Sequence, residues 1–269
     1  MMINTDIRVA ISGAGGRMGR DLIKAISQHD RVVLGAALGR RDSEIIGIDA
    51  GELVGISRLN VKITDNLVNV LDKFDILIDF SGPENSKYCL SICEKYFKSI
   101  IIGTTGFNEV EQLFIKKASK IIPIILAANF SIGINLLLKL LEKYIKVIAE
   151  YSDIKIIEVH HRNKVDAPSG TSLMIRDVIS NSIVSYLKNC SSNIYINSNK
   201  QDDDINITTI RVNNIIGEHT IIFANNNEKI KITHKALNRN AFVNGVLKAC
   251  LWLKWQKNGL YSMKDVLNI

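Results

Sequence analysis

Residues 7–19 read Ile7-Arg8-Val9-Ala10-Ile11-Ser12-Gly13-Ala14-Gly15-Gly16-Arg17-Met18-Gly19, an apolar run of strand length that stops at a cluster of glycines. The amphipathic stretch Arg20 to Ser27 follows, and a second apolar run, Val32 to Leu38, completes a βαβ unit. Strand, glycine loop and helix in that order bring unpaired helix N–H groups to a backbone that a phosphate can approach closely. The glycines fit G-x-x-G-x-x-G through Gly13, Gly16 and Gly19, whereas the commoner G-x-G-x-x-G would need glycine at Met18. An ordinary strand-to-helix turn is the bland alternative; the strand that follows favours a nucleotide site.

Working outward, three further apolar runs end in small or polar residues and lead into helical patterns. Asp75 to Phe80 runs into Ser81-Gly82-Pro83, Ser99 to Ile102 into Gly103-Thr104-Thr105-Gly106, and Ile121 to Leu126 into Ala127-Ala128-Asn129-Phe130. In a doubly wound sheet such loops line one crevice at the carboxyl ends of the strands. After Asp153 the texture changes to strands parted by polar turns: Ile154–His160, Ile194–Asn197, Ile207–Val212, His219–Ala224 and Lys229–Ile232. The pattern predicts a mixed or antiparallel second domain with one long helix after Thr171, and a polar loop over Asn189–Asn206. A last helical stretch, Asn240 to Trp255, returns to the first domain, with Trp252 and Trp255 three apart as core or domain-contact residues.

The bulk properties narrow the function classes. The 269 residues are 46% hydrophobic and 23% charged, ordinary for a globular chain. A net charge of +7 could suit nucleic acid, but the lysines are scattered and few aromatics interleave with them, so a solvated basic surface is the better reading. Four cysteines form no C-x-x-C pair; Cys89 and Cys93 read as reduced core thiols, and with no signal peptide this favours the cytoplasm. The longest apolar run is too short for a bilayer, so no membrane partner is expected.

Chemistry concentrates in residues 158–171, Glu158-Val159-His160-His161-Arg162-Asn163-Lys164-Val165-Asp166-Ala167-Pro168-Ser169-Gly170-Thr171. Strand alternation sends Glu158 and His160 to one face and His161 to the other. A metal site is disfavoured because adjacent strand residues point apart and no cysteine or H-x-x-x-H spacing assists. Acid–base or anion-binding chemistry fits better, because Ser169-Gly170-Thr171 reads as a helix start that seats a carboxylate. After the second strand, Gly39-Arg40-Arg41 stands where an acid usually binds the ribose hydroxyls. Guanidinium groups there predict NADPH in preference to NADH.

These runs, with A-A-N-F-S-I-G-I-N from Ala127, G-E-H-T from Gly217 and I-T-H-K-A from Ile232, resemble the 4-hydroxy-tetrahydrodipicolinate reductases, the dihydrodipicolinate reductase family. The resemblance runs from about Ile7 to Leu267. It implies hydride transfer from NAD(P)H to a small dicarboxylate in the diaminopimelate route to lysine, and a homotetramer. It implies that His160 and Lys164 handle the proton, and that His161, Gly170, Thr171 and Arg239 bind substrate. The implied cofactor positions are Gly13, Ala14, Gly15, Gly16, Arg17, Met18, Arg40, Gly103, Thr104, Thr105, Ala127, Ala128, Asn129 and Phe130. Asn163 departs from the third histidine common in relatives, and the region Asn199–Asn213 is shorter than usual. The reading is an α/β chain. A Rossmann-type doubly wound parallel sheet domain of residues 1–130 plus 237–269 carries an inserted α+β domain, 131–236, for substrate and assembly. An NAD(P)-binding redox sensor without turnover is the alternative from another class.

Overall fold

The computed structural model describes residues 6–189 and 205–269. The expected strand Ile194–Asn197, most of the loop Asn189–Asn206, part of Asn199–Asn213, and Cys190 lie outside the described residues. In chain order the strands are β1 (Ile7–Ser12), β2 (Val32–Leu38), β3 (Ile63–Thr64), β4 (Ile76–Asp79), β5 (Ser99–Ile102), β6 (Pro123–Leu126), β7 (Asp153–His160), β8 (Asn206–Arg211), β9 (Gly217–Ala224), β10 (Lys229–Ala236) and β11 (Gly259–Tyr261). The α-helices are α1 (Arg17–Ile26), α2 (Ala50–Leu53), α3 (Pro83–Lys95), α4 (Glu109–Ala118), α5 (Ile132–Tyr151), α6 (Gly170–Asn189), α7 (Asn240–Leu253) and α8 (Met263–Leu267). The chain divides into two compact units, Met1–Ile132 with Phe242–Ile269, and Gly133–Ala241.

The first unit is built on a seven-stranded parallel sheet in the order β11-β6-β5-β4-β1-β2-β3. Its strand order reverses between β1 and β4, the switch point at which doubly wound sheets bind ligands. Strands covered on both faces need apolar residues throughout, and β4 is buried at every position. Alternation then splits the core: Val9 and Ile11 pack with Leu22 and Ile23 of α1 and Val243 and Val246 of α7, while Ala10 packs with Leu90 of α3 and Ile115 of α4. Each such fully buried Val, Leu or Ile side chain contributes about 1.5–3 kcal/mol. Two glycines allow the tight layering. A Cβ at Gly19 would lie 2.2 Å from the Gly13 carbonyl oxygen, and one at Gly245 1.8 Å from that of Phe130.

Cys89, Cys93 and Cys250 are free and buried, and burial pushes the Cys89 thiol up to about 12. Trp252 packs against the core and meets Tyr261 edge-on at 5.0 Å, but Trp255 is 67% exposed because α7 ends at Leu253. The expected core or contact role is thus seen for the first tryptophan only.

The second unit is a four-stranded mixed sheet, β10-β9-β7-β8, in which β7 and β8 run parallel and the other neighbours antiparallel. One face buries Ile154, Ile156, Ile221 and Phe223 against helix residues. Two long helices cover it rather than the one expected. Ile134, Leu137, Leu138, Leu141 and Ile145 fall at helical spacing on α5, ahead of β7, while Ile175 and Ile179 come from α6. Toward the end of β7 this same face turns polar, with Glu158 and His160 on β7 and His219 on β9 all buried. Among the described residues no helix is long and apolar enough to cross a membrane.

Candidate active site

In the first unit, Gly13 turns the chain at φ +83°, a backbone that favours glycine, and the N–H groups of Gly13 and Ala14 both donate to the Leu38 carbonyl. Gly16 is the N-cap of α1 and has no side chain to cap the first turn, so the positive end of the helix faces this turn. A crevice of about 660 Å³ opens beside this turn, lined by Gly13, Gly16, Arg40, Arg41, Phe80 and Tyr88 among others. Of the expected cofactor positions, Ala14 and Phe130 bury their side chains in the core, leaving only their backbone for a ligand. Gly16, Arg17, Thr105 and Ala128 are exposed, while Gly15, Met18, Gly103, Ala127 and Asn129 are partly so. Glycine is required at Gly103 because a Cβ would lie 2.0 Å from the Phe80 ring, which itself meets Phe130 edge-on at 5.4 Å.

Thr104 is held from below. With the Ser86 proton committed to the buried Asp79 carboxylate, the single Thr104 hydroxyl proton goes either to Asp79, 3.3 Å away, or to Ser86 Oγ, 2.9 Å away. Ser81 Oγ also donates to Asp79, at 2.5 Å. Asp79 ends β4, so a single acid fixes the loop after its own strand and the loop after β5.

In the second unit Glu158 is the hub. Its Oε2 accepts from the Ser169 backbone N–H at 2.9 Å and from Ser172 Oγ at 2.5 Å; its Oε1 accepts from Arg211 at 3.0 Å and Thr209 at 3.1 Å. Burial alone would raise this carboxyl, but the serine and arginine hydrogen bonds prevail and hold it down at about 2. Arg211 also donates to the carbonyls of Lys164 and Asp166, tying the loop after β7 to the same acid. Lys164 pairs with Asp166 at 2.8 Å. His160 is 6% exposed, and burial drives its imidazole down to about 4 even though Glu158 opposes this. His219 is driven by burial to about 3. Both rings are therefore neutral at pH 7.

The structure brings His160, Lys164 and the start of α6 at Gly170 and Thr171 to one end of the second-unit sheet. His161 is partly exposed just past β7. Arg239 stands apart from the Glu158 hydrogen bonds, in the turn from β10 to α7. One oxygen of Glu158 and ring nitrogens of His160 and His219 lie within 4.8 Å of one another, a spacing a metal ion could use. The oxygen nearest His160, Oε2, already accepts from the Ser169 N–H and the Ser172 hydroxyl, so a cation there would compete with both.

Residues 7–130 match the family described as dihydrodipicolinate reductase, N-terminus, and residues 133–267 the one described as dihydrodipicolinate reductase, C-terminus. The chain belongs to the dihydrodipicolinate reductase family. Dihydrodipicolinate reductases are NAD(P)H oxidoreductases of lysine biosynthesis. Among solved structures, the dipicolinate-bound dihydrodipicolinate reductase of Paenisporosarcina sp. TG-14 superposes with a TM-score of 0.75 at 25% identity, covering 96% of this chain and 97% of that one. An amine dehydrogenase of Mycobacterium smegmatis gives 0.61 at 10% identity, covering 96% and 95%, and a probable dehydrogenase of Thermotoga maritima 0.57 at 11%, covering 97% and 92%. The last two likenesses are of fold. Within the dihydrodipicolinate reductase frame, sequence reasoning missed Arg211, Asp79 and the use of His219. Arg211 carried no motif signal. Asp79 was visible only as the polar end of an apolar strand, and His219 only as part of an unassigned G-E-H-T run.

Proposed function

We propose that this chain reduces (2S,4S)-4-hydroxy-2,3,4,5-tetrahydrodipicolinate to tetrahydrodipicolinate with loss of water, using NADPH in preference to NADH. The observation that carries the reading is the loop from His160 to Thr171. It sets an ammonium, a neutral imidazole and a helix N-terminus at one end of one sheet, the donor set a dicarboxylate needs.

When bound, the nicotinamide supplies the hydride. The glycine turn and the α1 N-terminus fit its pyrophosphate, and Gly13, Ala14, Gly15, Gly16, Arg17 and Met18 would hold that part. Gly103, Thr104, Thr105, Ala127, Ala128, Asn129 and Phe130 would line the rest, and Arg40 and Arg41, exposed beside the crevice, suit a 2′-phosphate. Lys164 delivers the proton that balances the hydride. His160, neutral at rest, is suited to accept a proton or hydrogen bond rather than to donate as imidazolium. His161, Gly170, Thr171 and Arg239 would bind the two carboxylates, one of which competes with Asp166 for Lys164. Ile157, Val159, Ile210 and Ile222 alternate onto the sheet face opposite the buried one, a surface suited to the homotetramer that the family resemblance implies.

The test is coupled synthesis of the substrate by the preceding pathway enzyme, followed at the NAD(P)H absorbance with each cofactor. Consumption of NADPH, with kcat/KM at least about tenfold above NADH, is expected. No consumption of either cofactor would leave a dinucleotide-binding protein without turnover.

A further inference from the structure

The Gly217-Glu218-His219-Thr220 run is not used by the chemistry above, yet it forms two walls around His160. In the antiparallel ladder His219 stands directly opposite Glu158, and Gly217 shares its face two residues away. The His219 ring meets the His160 ring edge-on, with centroids 5.1 Å apart and planes at 74°. On another side, a Cβ added to Gly217 would lie 3.2 Å from His160 Nε2. Gly217 has no positive φ, so the glycine is there for space.

What holds His219 is a line of hydrogen bonds that run one way. Ser172 Oγ donates to Glu158 at 2.5 Å, and Ser169 Oγ donates to Ser172 Oγ at 3.1 Å. With its single proton committed, Ser169 Oγ can only accept from His219 Nε2, 3.3 Å away. That fixes His219 as the Nε2–H tautomer and its ring plane with it. Its Nδ1 is buried with no hydrogen-bond partner among the described residues.

We propose that His219 is a positioning residue for His160, its ring locked through Ser169 and Ser172 to Glu158 so that the His160 imidazole has one slot and one orientation. The slot keeps His160 Nδ1 at 3.9 Å from Glu158 Oε2, beyond hydrogen-bonding distance. A ring free to turn would close that gap and pair with the acid. The groups facing His160 are Glu158 on its own strand, His219 on β9, Arg211 on β8, and Lys164 and Asp166 in the following loop, while the start of α6 offers hydroxyls. Glu158 is therefore the acceptor that the slot denies to His160.

The proposal rests on His160 taking part in the proposed reduction, and the test has one arm that does not. Histidine ring signals of the full chain are followed by NMR against pH without substrate, in the wild type and in His219→Ala, His219→Gln and Ser169→Ala. Turnover is measured on the same samples. In the wild type His160 is expected to titrate well below its ordinary value, near 4, because it is buried. In His219→Ala its midpoint rises by about one pH unit or more, since the turned ring pairs with Glu158, and kcat falls about tenfold with KM little changed. His219→Gln keeps a donor to Ser169 and restores both to near wild type. Ser169→Ala moves the midpoint upward and decides the matter if His219→Ala does not fold. An unchanged His160 midpoint in His219→Ala or Ser169→Ala overturns the proposal, as does a His219→Gln variant no better than His219→Ala. A wild-type protein that turns over no dicarboxylate sinks the proposed function, and the titration arm still decides the slot.

Discussion

Asp79 and Glu158 occupy matching places in the two units. Each is fully buried at or near the end of a strand, and each accepts from a serine in the first turn of the following helix, Ser86 of α3 and Ser172 of α6. Their company differs. Asp79 is ringed by the side-chain hydroxyls of Ser81, Ser86 and Thr104, which can turn to donate or accept. Glu158 also faces a backbone N–H and a guanidinium, which only donate. The hydroxyl ring tolerates a change of acceptor and holds loop shape. The donor ring demands a carboxylate and sets the electrostatics of the two imidazoles beside it. On the expected cofactor side the fold needs geometry; on the expected substrate side it needs charge.

The sharpest way to break this contrast is at the chemistry. His160→Ala and Lys164→Ala are each expected to lower kcat by about 10²–10⁴-fold with the fold intact, as loss of a proton-handling group does. Asp79→Asn should stay within about tenfold of wild type and express itself in the cofactor KM, because it holds the loops of Ser81 and Thr104 rather than a reacting group. The coupled absorbance assay with circular dichroism as a fold control measures both. Equal losses in kcat would mean that Asp79 acts on the reaction more directly than its neighbours suggest.

Stability sharpens the same comparison. In Glu158→Gln the new amide NH₂ meets either the Ser169 N–H or the Arg211 fork, donor against donor. About 3 kcal/mol is expected, at the low end for a broken buried ion pair because Arg211 is 19% exposed. Asp79→Asn lets Ser81 or Ser86 turn and accept, and costs about 1 kcal/mol or less. Urea unfolding midpoints of the two variants give the order, and a larger loss for Asp79→Asn would invert the argument.

The Rossmann half of this comparison was legible because its rules are local. Strand, glycine turn and helix follow one another within Ile7 to Ser27, and the apolar runs of β4, β5 and β6 announce burial on both faces. The short β3 and β11 were invisible, since runs such as Ile63–Thr64 carry no period and exist by pairing with strands already placed. In the second unit, alternation gave the face of His160 correctly. Arg211 and His219 reach Glu158 from 53 and 61 positions later in the chain, through register on β8 and β9, and one-dimensional spacing does not encode register. A helical pattern after Phe130 was legible, but it was counted with the first sheet, whereas α5 packs Ile134 to Ile145 on the second.

Acid should separate the two units as well. A histidine whose folded pKa lies below its unfolded value binds its proton more readily unfolded, so stability falls as pH drops. His160 and His219 contribute this loss from about 6.5 downward, flattening near 4 and 3 respectively. Glu158, with its folded pKa also depressed, adds stability that is present above 4.5 and lost toward about 2. Hydrogen exchange between pH 7 and pH 4 is therefore expected to deprotect β7 and β9 before β1 and β4. Loss that begins in β1 and β4 would show that the buried histidines do not govern acid unfolding.

The smallest expected effect tests the shape-only side at the arginines on its rim. Arg40 and Arg41 are exposed at the rim of the crevice, and Gly39 rather than an acid directly follows β2. Arg40→Ser removes a guanidinium fork from a 2′-phosphate while leaving the glycine turn and the Asp79 cluster untouched, so kcat/KM with NADPH should fall about tenfold and that with NADH should barely change. The double variant with Arg41→Ser should fall further with NADPH alone. Equal losses with both cofactors would place the arginines on the shared pyrophosphate or adenine instead. Discrimination would then have to arise within the crevice, from residues such as Tyr88 that the charge argument leaves aside.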